Sequence, residues 1–351
     1  MSTHFLQHQT SGPHEDAVWQ LTWTNKNEVV SASADGGVRV WSPINPAKPT
    51  VHLRAHRLGI SSLSVDSSGI RALSTSIEGN VVLSDLGVEG GKILGRKETF
   101  GEEGEDGSVI SSFSLALHPS SSHWASTGQS AKIGFYTLPA HLRAGASASE
   151  AENENLAEEG GDGLGSLEKV VETGKSKFGM CLKYSPDGRS LALSTESGQI
   201  MILDTESRQV VATHTSHAMC VRTLSWSGDS QYLFSGSDDR RIVLHDVRAG
   251  SAGSSGRGSA AVAEMKGHSS WVLSLGASPD GRGLVSGGAD STLRLWDVAQ
   301  RACLSTTQTG SQVWAVDWQP IQADQTRVGK DFVWGGEEAR VNWMSSAGSG
   351  N

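Results

Sequence analysis

The chain has 351 residues, 36% hydrophobic and 19% charged, with 42 Gly and a formal net charge of −9. That is enough chain for a sizeable core. No stretch approaches the ~20 apolar residues of a membrane span, and the N-terminal MSTHFLQHQTSGPHED has no apolar core of an export signal.

In chain order, the alternating segment 3–9 precedes the first full repeat and belongs to no unit of its own. The first unit opens at His14 and runs through VWQLTW, EVVSAS and SADGGVRVWS (33–42). In the last of these an acid precedes a two-residue turn, and an alternating strand ends on a ring, as in an antiparallel hairpin. The second unit is a weaker copy that opens at His56, with Glu78 and Ser84 at the later positions. The third (108–136) and the fourth (through MCLKYSPDGRSLALSTESGQIMILD, 180–204) lack the His but keep the strands. The fifth opens at His217, with CVRTLSW, YLFSGS and SDDRRIVLHD (237–246). The sixth opens at His268, with WVLSLGA, GLVSGG and GADSTLRLWD (288–297). The seventh covers 309–344 and contains QVWAVDWQP.

Repeats of ~40–45 residues, the sixth ending in a WD dipeptide (296–297), predict one four-stranded antiparallel blade per unit. The fold class is therefore all-β, a seven-bladed β-propeller spanning 1–351 as a single domain. Segment 3–9 closes the ring as the outer strand of the last blade, because an open ring would expose long unpaired edges. Three segments interrupt the pattern and are placed between blades: the acidic run 101–107, an acidic disordered insertion at 144–166, and a Gly/Ser-rich flexible loop at 249–261. The two acidic runs, 101–107 and 150–162, hold four and six acids and no base; without them 28 acids face 29 bases. The body is then near neutral, with no basic footprint for nucleic acid.

Ser31, His14 and Asp35 have the ingredients of a nucleophilic triad. The same set recurs as Ser235, His217 and Asp239 and as Ser286, His268 and Asp290, each with a ring at a fourth position (Trp41, His245, Trp296). An active site occurs once, whereas a structural device occurs once per repeat. These groups therefore read as hydrogen-bond quartets that pin the strands of a blade. No catalytic residue, metal site or cofactor follows. HTSH (214–217) reads as a solvent-facing His214 beside a structural His217. Cys181, Cys220 and Cys303 read as core thiols of a reducing compartment.

The fifth residue after each His position is Trp19, Ser61, Phe113, Met180, Arg222, Leu273 and Trp314, and Trp271 lies two before Leu273. First strands line the channel of a propeller, so these side chains fall around one mouth of it. Aromatics with an Arg there fit a partner-binding surface formed by Trp19, Phe113, Met180, Arg222, Trp271, Leu273 and Trp314. Apolar residues at both the fourth and the seventh positions require a β-bulge in that strand.

HAMCVRTLSWSGDSQYLFSGSDDRRIVLHDV (217–247), GHSSWVLSLGASPDGRGLVSGGADSTLRLWDV (267–298), QVWAVDW (312–318) and HEDAVWQLTW (14–23) resemble the WD-repeat family. Within it they most resemble the WD-repeat subunits of the Superkiller complex. That resemblance implies a non-catalytic scaffold in a hetero-oligomer. Its protein partners would be a helical-repeat protein and an RNA helicase serving exosome-dependent 3′-to-5′ mRNA decay. It further implies a role in meiotic recombination in fungal relatives, no direct nucleic-acid or membrane contact, and a cytoplasmic location with a nuclear one alongside. The alternatives are an adaptor of another assembly (transcription elongation, chromatin, or a ubiquitin-ligase substrate receptor), a propeller hydrolase, and direct RNA binding.

Overall fold

Hydrophobic alternation with period two produces one antiparallel sheet per repeat, its four strands running in chain order from the innermost outward. The structure is a computed structural model that describes residues 5–99, 102–103, 109–144, 163–173, 178–248, 261–321 and 330–346. Blade 1 is Val18–Trp23, Val29–Ser33, Gly37–Trp41 and Val51–Arg54. Blade 2 is Ile60–Val65, Arg71–Ser76, Asn80–Asp85 and Lys92–Glu98. Blade 3 is Ser114–Leu117, His123–Thr127, Ile133–Thr137 and Leu167–Val171. Blade 4 is Gly179–Tyr184, Ser190–Thr195, Ile200–Asp204 and Gln209–His214. Blade 5 is Val221–Trp226, Tyr232–Ser237, Arg241–Asp246 and Ala261–Lys266. Blade 6 is Val272–Ala277, Gly283–Gly288, Thr292–Asp297 and Ala302–Gln308. Blade 7 is Val313–Trp318, Asp331–Gly336 and Val341–Ser346, completed on its outside by Phe5–Thr10 from the other end of the chain.

The fold is thus the all-β seven-bladed propeller that the repeats predict, closed by the N-terminal strand. Each innermost strand packs against the next around the ring, and Val18–Trp23 against Val313–Trp318 completes it. The closing strand is held by more than its ladder. The Phe5 ring lies 5.0 Å from Phe332 and 5.9 Å from Trp318, and Thr10 Oγ1 donates to Asn342 Oδ1 at 2.9 Å.

Burial follows position in the blade. The second and third strands of blade 1 are buried along their whole length, because a neighbouring blade covers each face. Such strands read as Val, Ala and Ser without a polar face. Outer strands such as Gln209–His214 are half-exposed edges, which blurs their sequence signal.

Two of the three interruptions lie elsewhere than between blades. Segment 144–166 joins the third and outer strands of blade 3, and 249–261 joins the same two strands of blade 5. Only the acidic run near 101–107 falls between blades, next to a two-stranded ladder of Glu102–Glu103 with Val109–Ile110. Residues 145–162, 249–260, 101 and 104–108 lie outside the described residues. The chain is packed again earlier than composition suggests: Leu164 is fully buried, and its carbonyl accepts the Trp124 indole N–H at 3.0 Å. An outer strand pairs on one side only, so a long excursion before it breaks no ladder between two other strands.

Candidate protein-docking face

The three predicted quartets assemble as hydrogen-bonded chains. In blade 1, Trp41 Nε1 donates to Ser31 Oγ (2.8 Å), Ser31 Oγ meets His14 Nε2 (2.7 Å), and His14 Nδ1 meets Asp35 Oδ2 (3.3 Å). Blade 6 repeats this with Trp296 to Ser286 (2.8 Å), Ser286 to His268 (2.7 Å) and His268 to Asp290 (3.0 Å). Blade 5 substitutes an imidazole: His245 Nε2 lies 2.9 Å from Ser235 Oγ, with His217 Nε2 at 2.8 Å and Asp239 at 3.0 Å from its Nδ1. The geometry assigns the Nδ1–H tautomer to His14, His217 and His268, each donating to its carboxylate while accepting from the Ser hydroxyl.

Burial drives these three imidazoles below their ordinary pKa despite the adjacent carboxylates, so they are neutral. Burial alone would raise the carboxyls of Asp35, Asp239 and Asp290. Their imidazole partners and backbone N–H donors, joined at Asp290 by the stronger pull of the Thr292 hydroxyl, hold all three below the ordinary range. The three Ser hydroxyls are sealed at 0% exposure, so no substrate carbonyl can approach them.

Blade 2 is incomplete. His56 Nε2 reaches Ser74 Oγ at 2.8 Å, but Glu78 is exposed and His56 Nδ1 has no partner among the described residues. Two other expectations are corrected. His214 is 2% exposed, its ring 4.8 Å from that of His245, because the outer strand of blade 4 ends beneath the next blade. Cys303 is exposed on an outer strand, and Cys181 and Cys220 are half-buried.

A bulge occupies the first strand of six blades. Two residues face one on the second strand at Val18–Gln20, Ile60–Ser62, Gly179–Cys181, Val221–Thr223, Val272–Ser274 and Val313–Ala315. The skipped residue is Trp19, Ser61, Met180, Arg222, Leu273 or Trp314. In blade 3 the equivalent, Phe113, stands just before its strand. A bulged residue leaves the ladder and is re-aimed. All seven are half-buried, where their neighbours on either side in sequence include fully buried residues such as Val18, Ile60 and Val313.

These side chains meet in pairs. Trp19 and Trp314 stack across the joint of blades 7 and 1, with centroids 5.9 Å apart and planes 7° from parallel. The Trp19 ring also lies against Gly59, where an added Cβ would come within 2.6 Å. The Trp314 indole N–H is buried with no acceptor among the described residues. Arg222 forms a bidentate pair with Asp238 (2.5 and 2.9 Å), and its guanidinium sits 4.7 Å from the centre of the Trp271 ring. That tryptophan is 46% exposed. Phe113 packs edge-on to Phe178 at 5.0 Å, and Ser61 Oγ donates to the Phe113 carbonyl at 2.7 Å.

The sequence reading missed Leu58, Ile77, Met219 and Phe178 on this face; the first three are large exposed apolar side chains. They lie in the loop after the His position or in the turn after the second strand. Polar turn residues are the default there, so an apolar residue in such a loop was the available signal.

Below this face the seven innermost strands enclose a channel of about 410 Å³, lined among others by Arg222, Lys183, Leu273, Trp314 and Asp317. Polar side chains latch neighbouring blades along its wall. Ser64 Oγ accepts the Leu117 N–H (2.9 Å), and Ser225 Oγ accepts the Ala277 N–H (3.0 Å). At the ring-closing joint Asp317 takes the same role, accepting the Trp23 N–H at 2.9 Å. Burial raises its carboxyl to about 6, against the opposing pull of that N–H and of Lys183.

Comparison with known proteins agrees with this architecture. The family described as "WD domain, G-beta repeat" matches residues 6–42, 208–246 and 260–297. The chain is 28% identical over 255 residues to WD repeat-containing protein SL1-17 of Schistosoma mansoni, covering 71% of this chain and 72% of that protein. It is 31% identical over 156 residues to Protein FIZZY-RELATED 3 of Arabidopsis thaliana, covering 44% of this chain and 30% of that one. It is 32% identical over 152 residues to Anaphase-promoting complex subunit cdc20 of Dictyostelium discoideum, covering 42% and 28%. Against these last two, the chain spans about a third of the relative's length. On its fold and on these matches, the chain carries WD40 repeats and is related, at low identity, to WD-repeat proteins.

Proposed function

We propose that this propeller is a non-catalytic scaffold that grips short segments of partner proteins on its bulge-bearing face. One observation carries the reading: a bulge re-aims the same position in blade after blade, and the residues placed there include Trp19, Trp314, Met180, Leu273 and Arg222. Half-exposed aromatics beside a paired Arg have the composition of binding hot spots.

The assembly we propose is the Superkiller complex, on the resemblance carried by blades 5 and 6 and the first strand of blade 7. The chain would hold the helical-repeat subunit against the RNA helicase in the cytoplasm, with a nuclear pool for recombination. A second reading, an adaptor for a ubiquitin ligase or a chromatin or transcription assembly, is favoured by the relative named as a subunit of the anaphase-promoting complex.

Affinity purification from the native cell tests both. The helicase and helical-repeat proteins are expected to co-purify with the wild type and to be lost with Trp271→Ala or Trp314→Ala. Truncating a central anchor costs ~2 kcal/mol or more in affinity. An unchanged set of co-purifying proteins in both variants would refute the docking face. Recovery of ligase or chromatin subunits in place of the helicase would select the second reading.

A further inference from the structure

Blade 2 holds a position built for a carboxylate that the chain does not fill. In blades 1, 5 and 6 one carboxylate takes the His Nδ1 and also the backbone N–H of the next residue. Asp35 accepts from Glu15 (2.9 Å), Asp239 from Ala218 (3.1 Å) and Asp290 from Ser269 (2.8 Å). Blade 1 adds a cation: Arg39 Nη1 donates to the carbonyl of Pro13, the residue before His14, at 2.5 Å, while its Nη2 holds Asp35 at 3.2 Å.

Blade 2 keeps these donors and loses the acceptor. His56 is 5% exposed, and its Nδ1 is buried without a partner among the described residues. In register with Val82, which stands where blade 1 has Arg39, the outer strand supplies Arg96. Arg96 Nη1 donates to the carbonyl of Ala55, the residue before His56, at 2.7 Å. A guanidinium is therefore anchored on the equivalent carbonyl as in blade 1, with no other hydrogen bond among the described residues. No ion pair engages Arg54, Arg57 or Arg96 among the described residues, and all three are exposed. They line, with His56, a groove of about 820 Å³. Glu78 occupies the turn position of Asp35 with one more methylene, and its carboxylate accepts from Asn80 Nδ2 at 3.3 Å, away from the imidazole.

We propose that this groove recognises an acidic side chain of a partner protein segment, its anion lying between His56 Nδ1–H and the Arg96 guanidinium where the other blades hold their own Asp. With the anion in place His56 takes the Nδ1–H tautomer of His14, and Arg57 supplies the flanking charge. Charge-assisted bonds to a guanidinium and an imidazole are the strong ones, and burial of His56 shields the imidazole side of the site from full screening. The site stands independently of the aromatic docking face, since none of its residues belongs to that face.

The test is a fluorescence anisotropy titration with three labelled peptides built only of Gly and one other residue: Glu, Gln or phosphoserine. Charge-assisted hydrogen bonds predict about tenfold or tighter binding of an anionic peptide over the Gln peptide. Preference for the phosphoserine over the Glu peptide would identify the source as a phosphorylated segment. Arg96→Gln is expected to abolish the preference. Glu78→Asp is expected to abolish it as well, by placing a carboxylate on His56 from within the chain, and to raise the urea midpoint. Equal binding of Glu, phosphoserine and Gln peptides by the wild type would overturn the proposal. So would a Glu78→Asp protein that binds the anionic peptides as the wild type does. Because the peptides carry no apolar side chain, failure here leaves the aromatic face untouched.

Discussion

Replacing Ser31 by Ala removes the hub of the blade 1 quartet and nothing else of size. The hydroxyl accepts from Trp41 Nε1 at 2.8 Å and faces His14 Nε2 at 2.7 Å, and all three residues are buried. Without it the indole donor and the imidazole acceptor are both stranded where water does not reach. Each stranded group costs ~1–3 kcal/mol, so the variant should lose ~2–6 kcal/mol of stability. Blade 2 provides the internal control. Ser74 meets His56 and, at 3.5 Å, the Val82 carbonyl, and its fourth position is Ser84 with no ring to donate, so Ser74→Ala strands one group, the imidazole, and should cost ~1–3 kcal/mol. Urea unfolding followed by tryptophan fluorescence measures both, from midpoints at constant slope. Equal losses in the two variants, or a Ser31→Ala loss below ~0.5 kcal/mol, would refute the quartet as a linked structural chain.

Phe5→Ala should loosen ring closure, because that ring is wedged against Phe332 and Trp318. A loss of ~3 kcal/mol in urea unfolding is expected, with protease cleavage appearing first in the N-terminal strand; cleavage elsewhere first would contradict it. Stability should depend on pH in two opposing ways. Burial holds His56 and His123 down at about 4, below the ordinary 6.5. Their contribution is complete above 6.5 and is lost as pH falls from 6.5 toward 4. Asp317 runs the other way: raised from 3.8 to about 6, its contribution is lost as pH rises through 6. Asp317→Asn should therefore gain on the wild type as pH rises from about 4 to about 6, by at most ~3 kcal/mol at ~1.4 kcal/mol per pH unit, and no further above that. A difference that does not change with pH would count against the buried carboxylate as its source.

Sequence alone was enough for the repeat count, the all-β class, ring closure by an N-terminal strand (Phe5–Thr10 in the structure) and the partners within each quartet. Those features are local and periodic: strand alternation has period two, and the His, Ser, Asp and ring positions recur at fixed spacings because each blade solves the same packing problem. The need for a bulge was also legible, from apolar residues at two positions that a regular strand sends to opposite faces. What lay beyond the sequence depends on contacts between units. Outer strands are one-sided edges with weak patterns, so two interruptions that look like blade junctions turn out to sit inside blades 3 and 5. His214 is covered by a neighbouring blade, and nothing within its own strand says so. The stacking of Trp19 on Trp314 and the seating of Arg222 on Trp271 each need two blades brought edge to edge. The unfilled position on His56 is likewise visible only when the third dimension shows Arg96 arriving from the outer strand and Glu78 turned away. Repetition wrote the fold into the chain, while the candidate docking face arises where the repeats differ, and closure of the ring decides which of those differences meet.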